Sequence, residues 1–206
     1  MTDSIEVIEC EQGTEEWFAA RSGIVTASEF ATVLAKGRGC GESVTRRKYM
    51  LTLAGEILTG QIADKWEGNR HTERGKLLEG EAREAYSIIT GNDPKQVGFI
   101  RRGRAGASPD SLVGEHGLLE IKTKLPHLQL ELLESGEVPS EHIAQIQGQL
   151  WVTGRAWCDF VSYWPGLPVF IKLVTRDESY IARLSVAVAE FVGEVDSIVA
   201  KYKGST

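Results

Sequence analysis

The sequence predicts an α/β fold in which a central mixed β-sheet is flanked by helices. Apolar residues recur with helical spacing through the first part of the chain, and short extended segments separated by glycine follow. A helix, two further strands and a long amphipathic helix complete the order. The 206 residues fit a single domain, 1–206, because no internal repeat or interdomain linker is present.

Four helices are predicted in the first half of the chain. Thr14 caps a short helix that stops at Gly23, and Thr26 with Glu29 has the spacing of a capping box that opens a second helix. A glycine-rich loop, "KGRGCGES", follows. Longer helical periods cover residues 44–60 and 72–91. The last of these helices carries an apolar stripe formed by Leu78, Ala82, Ala85 and Ile89.

The second half changes character. Three short extended segments predict a β-meander over residues 95–103, 106–114 and 117–124. The remaining elements are a helix at 140–154, strands at 156–166 and 168–177 joined through a Pro-Gly turn, and a long helix at 178–203.

Composition excludes several classes of protein. No apolar run is long enough for a membrane span, and the N-terminal segment lacks a signal-peptide core. Three scattered cysteines indicate a reducing compartment and no zinc or iron–sulfur site. The net charge of −6 argues against nucleic acid, yet the basic residues are clustered, which fits a protein that holds DNA on one side. Ordinary solvated charge is the alternative. The clustered residues are Lys36, Arg38, Arg46, Arg47, Lys48, Arg101, Arg102 and Arg104.

The segment "DSLVGEHGLLEIK" predicts a β-hairpin. A three-residue loop at 114–116 pairs Val113 with Gly117 and places Asp110 opposite Glu120. Glu120 and Lys122 are two residues apart, so they share one face of the strand. Two carboxylates at this distance repel unless a positive charge balances them. A hard cation such as Mg²⁺ accepts such oxygen ligands, although a solvent-facing strand with a Glu–Lys pair remains the alternative.

Pro109-Asp110 followed by Glu120-Ile121-Lys122 resembles the PD-(D/E)xK nuclease motif. The surrounding segments resemble the lambda-exonuclease family of phage recombination nucleases, of the alkaline exonuclease type. The similar segments appear in family order as "WFAARSGIVTASEF", "RGKLLEGEAREAY", "GASPDSLVGEHGLLEIKTK" and "HIAQIQGQLWVTG". Lys124 departs from the small or proline-rich continuation expected after the motif lysine.

The resemblance implies a restriction-endonuclease-like core and roles for individual residues. Asp110 and Glu120 would bind metal together with the Ile121 carbonyl, and Glu79 would lie near a second ion. Lys122 would position or activate the attacking water, and Gln145 would close the site. The residues implied to bind substrate are Trp17, Arg21, Thr26, Ser28 and Ser108. A predicted helix start at Thr26 and Ser28 independently favours an anion, and Arg21 can grip phosphate oxygens.

The resemblance implies a two-metal deoxyribonuclease that uses Mg²⁺, with Mn²⁺ as a substitute. It would digest double-stranded DNA processively from a 5′-phosphorylated end, in the 5′-to-3′ direction. Mononucleotides and a 3′ overhang would result. A ring-shaped homotrimer, a single-strand annealing partner and a place in the bacterial host cytoplasm, encoded by a phage or prophage, are also implied. A restriction or repair endonuclease and a non-catalytic DNA-end-binding protein remain the alternatives.

Overall fold

The computed structural model describes residues 4–37, 41, 43–62 and 70–204. Seven α-helices lie in these ranges: α1 Glu15–Arg21, α2 Phe30–Leu34, α3 Val44–Thr59, α4 Arg70–Thr90, α5 Pro126–Ser135, α6 Ser140–Thr153 and α7 Glu178–Tyr202. The strands in these ranges are β1 Ile5–Ile8, β2 Val25–Thr26, β3 Pro94–Lys95, β4 Phe99–Arg102, β5 Ala105–Ala107, β6 Ser111–Val113, β7 Gly117–Lys122, β8 Trp157–Ser162 and β9 Phe170–Thr175. Arg38, in the glycine-rich loop, lies outside the described residues.

The strands form two mixed sheets flanked by helices. One sheet has the order β1-β4-β5-β2, and the other has the order β3-β6-β7-β8-β9. The first is mixed because β2 runs parallel to β5, and the second because β7 runs parallel to β8. The predicted α/β class is confirmed, but the predicted meander is divided between the sheets. The chain leaves one sheet after β5 and enters the other at β6, through Ser108, Pro109 and Asp110.

The strand β7 is covered on both faces, which explains its apolar sequence. Leu118 packs in a cluster with Ile146 and Leu150 of α6. Leu119 and Ile121 point to the other face, where they join a cluster with α4. The predicted alternation along this strand is therefore confirmed, and it directs Glu120 towards α6.

The capping box predicted at Thr26 is wrong. Thr26 ends β2, and residues 27–29 form a single 3-10 turn before α2. The Thr26 side chain makes no capping hydrogen bond, and its Oγ1 instead lies 3.1 Å from Ser28 Oγ. By contrast, the cap predicted at Thr14 is present, since its hydroxyl accepts a hydrogen bond from the Trp17 N–H at 3.3 Å.

The apolar stripe predicted on α4 is wrong at its end. Ala82 and Tyr86 are fully buried, whereas Ile89 is 59% exposed. Tyr86 continues the buried face because its hydroxyl donates to Asp159 Oδ2 on β8 at 2.7 Å.

Helix α5 was not predicted, although its limits carry common helix signals: Pro126 at the first position and a left-handed Gly136 after the end.

The largest core cluster joins the helices to the first sheet. The long helix α7 contributes Leu184, Val188, Phe191 and Val195, which pack with α2, α3 and β5. Within the described ranges, no helix combines the length and apolarity that a bilayer crossing requires.

Gly148 fixes how closely α6 approaches α2. A Cβ at Gly148 would lie 2.2 Å from Cδ2 of Phe30, a fully buried ring. Gly148→Ala should therefore lower stability by about 1–3 kcal/mol despite the better helix propensity of alanine. Gly193→Ala in α7 is the control, because nothing lies within 4 Å of its added Cβ. It should raise stability by up to about 1 kcal/mol, and thermal unfolding of the two variants would show opposite signs. Equal or higher stability of Gly148→Ala would contradict this packing account.

Candidate active site

The β6–β7 hairpin has the predicted register. Val113 pairs with Gly117 and Ser111 pairs with Leu119, so Asp110 stands opposite Glu120 at the end of the ladder. Gly114 begins the loop at φ 51, a conformation that glycine adopts readily. Asp110 Oδ2 accepts a hydrogen bond from the Ile121 N–H at 2.5 Å, which holds the Asp110 carboxylate beside β7. The hairpin therefore brings the two acids together at one end of the second sheet.

Glu120 is a buried carboxylate, with a side chain only 2% exposed. Gln145 Nε2 donates to its Oε1 at 2.6 Å, and Gln149 Nε2 donates to its Oε2 at 2.6 Å. Lys122 Nζ lies 2.6 Å from Oε1 and 3.4 Å from Gln145 Oε1. The structure thus places Lys122 and Gln145 together on Glu120, and it adds the buried Gln149, which the sequence analysis did not include. The only sign of this role in the sequence is that Gln149 follows Gln145 by one helical turn, so the two side chains share a face of α6.

Burial and like charges dominate the electrostatics of this site. Burial, then Glu120 and Glu79, raise the pKa of Asp110 well above its ordinary value, against the opposing effects of Lys122 and the Ile121 N–H. Burial alone would lower the pKa of Lys122, but Glu120 and Asp110 outweigh it and raise that pKa. Lys122 is therefore a charged ammonium at neutral pH, suited to orient a water molecule or hold a phosphate oxygen.

Glu79 reaches the same site from α4. It forms an ion pair with Arg83, one helical turn later. Arg83 Nε donates to Ser111 Oγ at 3.0 Å, and its Nη2 lies 3.5 Å from the Asp110 carbonyl oxygen. Arg83 was not among the predicted residues. The only sign of this ion pair in the sequence is that Arg83 follows Glu79 by four residues, which places the two side chains on one face of a helix.

The donors around Asp110 and Glu120 fit a hard cation. They are carboxylate oxygens, and burial together with the neighbouring acids raises the pKa of Asp110, so the site gains from added positive charge. Among the residues that the structure describes, no three His, Cys, Asp or Glu side chains converge into a coordination shell. An ion here would therefore also need main-chain carbonyl, water or phosphate oxygens, which Mg²⁺ accepts.

A second cluster contains the remaining predicted residues. Trp17 Nε1 donates to Ser108 Oγ at 2.9 Å, and Arg21 Nη1 lies 3.4 Å from the same oxygen. Arg21 stacks over the Trp17 ring at 4.1 Å and its Nη2 lies 3.5 Å from Thr26 Oγ1. Ser28 joins through its contact with Thr26. The structure thus brings all five together, but the helix start invoked for Thr26 and Ser28 is only a 3-10 turn.

The two clusters are adjacent because Ser108 and Asp110 flank one proline. Gln12 holds this connection, since its Nε2 donates to the Pro109 carbonyl at 3.0 Å and to the Val97 carbonyl at 2.8 Å. Gln12 was not predicted, and an isolated glutamine in the sequence gives no indication of such a role. The separation of the clusters is therefore set by three consecutive residues.

The clustered basic residues differ in their surroundings. Arg46 makes a two-pronged ion pair with Glu194, at 2.9 and 2.6 Å, and also donates to the Val33 carbonyl. Arg101 pairs with Glu6 at 2.6 Å, and Arg104 pairs with Asp196 at 2.9 Å. Lys36, Arg47 and Lys48 are exposed. Arg46 therefore has a structural position, while the exposed cations lie where a ligand can reach them.

Comparison with known proteins identifies the family of the chain. The YqaJ-like viral recombinase domain family matches residues 16–156. The alkaline exonuclease of Laribacter hongkongensis is 40% identical over 92% of this chain and 96% of its own, with a TM-score of 0.83. The structure of the same exonuclease in complex with dAMP has a TM-score of 0.84 to this chain, at the same identity and coverage. A phage-related exonuclease from Haemophilus somnus, 16% identical over 87% of this chain and 96% of its own at a TM-score of 0.66, shares the fold. No curated protein matches the chain.

The fold and these relatives define a nuclease of the PD-(D/E)xK type. The chain belongs to the YqaJ-like viral recombinase family, which confirms the resemblance to the lambda-exonuclease family found in the sequence.

The raised pKa of Asp110 predicts that its ionised carboxylate lowers the stability of the fold at neutral pH. Its raised pKa means that the folded protein binds this proton more tightly than the unfolded chain, so stability falls as pH rises through that range. In EDTA at neutral pH, Asp110→Asn should raise the free energy of unfolding by roughly 1 kcal/mol, a shift of about 2–4 °C in Tm. The gain should shrink as pH falls, because the wild-type carboxyl becomes protonated.

Two comparisons sharpen this test. Asp93→Asn removes a 78% exposed carboxylate and should leave Tm nearly unchanged. Added Mg²⁺ should raise the Tm of the wild type more than that of Asp110→Asn, because binding to the folded state stabilises it. A lower Tm of Asp110→Asn in EDTA would show that Asp110 stabilises the apo fold.

Proposed function

We propose that this nuclease is a metal-dependent, processive 5′-to-3′ exonuclease on double-stranded DNA. It releases 5′-mononucleotides and leaves a 3′ single-stranded overhang for recombination by single-strand annealing. One observation carries this proposal: Asp110, Glu120 and Lys122 converge at the end of one hairpin in a chain 40% identical to an alkaline exonuclease.

Two Mg²⁺ ions are proposed at the acidic pair, with Mn²⁺ as a substitute. Asp110, Glu120 and the Ile121 carbonyl would hold one ion, and Glu79 would lie near the other. The all-oxygen donor set and the raised pKa of Asp110 support this assignment. When bound, such ions polarise a phosphodiester and make water a better nucleophile.

The residues around Glu120 supply positioning. The charged Lys122 orients the attacking water or holds a scissile phosphate oxygen, since its ammonium already contacts Glu120. Gln145 contacts both Glu120 and Lys122, so it fixes their relative position. Gln149 fixes the other carboxylate oxygen from within the core. A preorganised site of this kind needs little reorganisation during the reaction.

The second cluster is proposed to recognise the DNA end. Arg21, Thr26, Ser28 and Ser108 bring a guanidinium and three hydroxyls into one cluster, a set of donors that suits a terminal phosphate. Trp17 backs Arg21 and can contact the terminal nucleotide. Because Ser108 and Asp110 flank Pro109, a terminal phosphate in this cluster would place an adjacent phosphodiester near the acidic pair.

The assembly proposed is a ring-shaped homotrimer that threads DNA, working with a single-strand annealing protein in the cytoplasm of a bacterial host, where a phage or prophage encodes it. A basic lumen within an acidic exterior would reconcile the net charge of −6 with a DNA substrate. Light scattering should give a mass near three chains. A monomer that digests DNA processively would contradict the ring.

Digestion of end-labelled linear duplex with Mg²⁺ tests the activity. Label at a 5′ end should be released early as mononucleotide, while label at the 3′ end should remain on long strands. Closed circular plasmid should stay intact. Cleavage of the closed circle would instead favour an endonuclease, and binding to ends without cleavage would favour an end-binding protein.

Lys122→Ala should reduce the cleavage rate by about 10² to 10⁴, the usual range for a group that assists proton transfer or positions water. DNA binding in Ca²⁺ should change little, because the acidic pair remains. Lys95→Ala is the matched control, since that lysine is 73% exposed at the edge of the second sheet. A Lys122→Ala rate close to wild type would remove this lysine from the mechanism.

Wild-type enzyme should prefer 5′-phosphorylated over 5′-hydroxyl ends by at least about tenfold, given roughly 1.5–3 kcal/mol for each charge-assisted hydrogen bond. Arg21→Ala should abolish the preference while leaving the slower 5′-hydroxyl rate similar. Initial rates on the two substrates measure this. Equal wild-type rates on both ends would preserve the nuclease chemistry and exclude end recognition by this cluster.

A further inference from the structure

A third charged cluster lies just beyond Lys122. Lys124 Nζ donates to Glu141 Oε1, in the first turn of α6, at 3.0 Å. The Lys124 side chain is only 16% exposed, whereas that of Glu141 is 66% exposed. The Lys124 side chain is therefore largely covered by protein, while the carboxylate that its ammonium contacts remains mostly in solvent.

His142 completes this cluster. Its ring stacks on Phe160 with centroids 5.3 Å apart. Its Nε2 is buried and has no hydrogen-bond partner, although Glu141 Oε1 lies 3.3 Å away. Buried polar atoms in native proteins are normally paired, so an unpaired one calls for an explanation. The same carboxylate oxygen thus covers both the Lys124 ammonium and the imidazole nitrogen.

The charges of the cluster favour an anion. Burial, then Lys122 and Lys124, lower the pKa of His142 to about 4, so its ring is neutral at neutral pH. Hydrogen bonding and charge from Lys124 lower the pKa of Glu141, which is therefore ionised. The first turn of a 14-residue helix adds a positive dipole end. Glu141 thus occupies a place that suits a negative group.

We propose that Lys124 and His142 form a subsite for a backbone phosphate of the DNA next to the scissile position, and that Glu141 fills it when DNA is absent. The inference rests on the proposed function. Displacing Glu141 costs little on its own side of the pair, because its side chain is 66% exposed and the carboxylate can move into water. Its departure uncovers the ammonium and the unpaired Nε2 together. An internal phosphate carries one negative charge, so it replaces Glu141 without changing the local balance.

Equilibrium binding to a 5′-phosphorylated duplex in Ca²⁺, repeated over a salt series, tests this subsite. Lys124→Gln should weaken binding roughly 5- to 10-fold and reduce the salt slope by about one. Glu141→Gln should tighten binding by a comparable factor, since the competing carboxylate is gone. His142→Phe keeps the stacking on Phe160 and should weaken binding by about two- to fivefold without changing the salt slope, because it removes no charge.

Lys95→Gln and Asp93→Asn are matched controls for the change of charge. Lys95 and Asp93 form an exposed ion pair at 2.6 Å beside the β3 edge. Each substitution should therefore change the dissociation constant by less than about twofold. The subsite is overturned if Lys124→Gln and Glu141→Gln shift binding no more than these controls. If circular dichroism shows that Lys124→Gln is unfolded, the binding measured for Glu141→Gln alone decides whether the subsite exists. Wild-type cleavage is measured in parallel, and its absence would defeat the proposed function and the subsite with it.

Discussion

A buried carboxylate on β7 governs the construction of this site. Glu120 is almost completely removed from solvent, which is tolerable for a charged group only when every oxygen is paired. Gln145 and Gln149 of α6 supply two donors, and Lys122 on the same strand face supplies the charge. These partners reach Glu120 only if α6 lies close to the sheet. The packing of Ile146 and Leu150 against Leu118 of β7 holds the helix there.

The same constraint explains why the site concentrates unfavourable charge. Asp110 is held against β7 by the Ile121 N–H, so it cannot move away from Glu120. Lys122 balances only part of the charge, and the pKa of Asp110 stays high. A site that stores such repulsion gains from a divalent cation and is less stable without one.

The position of the second cluster follows from chain connectivity. The chain crosses from one sheet to the other through Ser108, Pro109 and Asp110. Ser108 therefore meets Trp17 and Arg21 near the first sheet, while Asp110 meets Glu120 in the second. Two clusters of different chemistry are thus kept adjacent by a short segment that Gln12 anchors.

The sequence by itself determined the α/β class, the hairpin register and the shared face of Glu120 and Lys122, because these depend on strand alternation and a three-residue loop. It also determined the cap at Thr14. The division of the meander into two sheets, the burial of Gln149 and the contacts of Arg83 and His142 were decided only by tertiary structure. Each of these features depends on which elements of the fold pack against each other, and the local sequence does not encode that packing. The helix start expected at Thr26 failed for the same reason. Thr26 pairs with Gly106 of β5, and this pairing with a distant segment makes Thr26 the end of a strand.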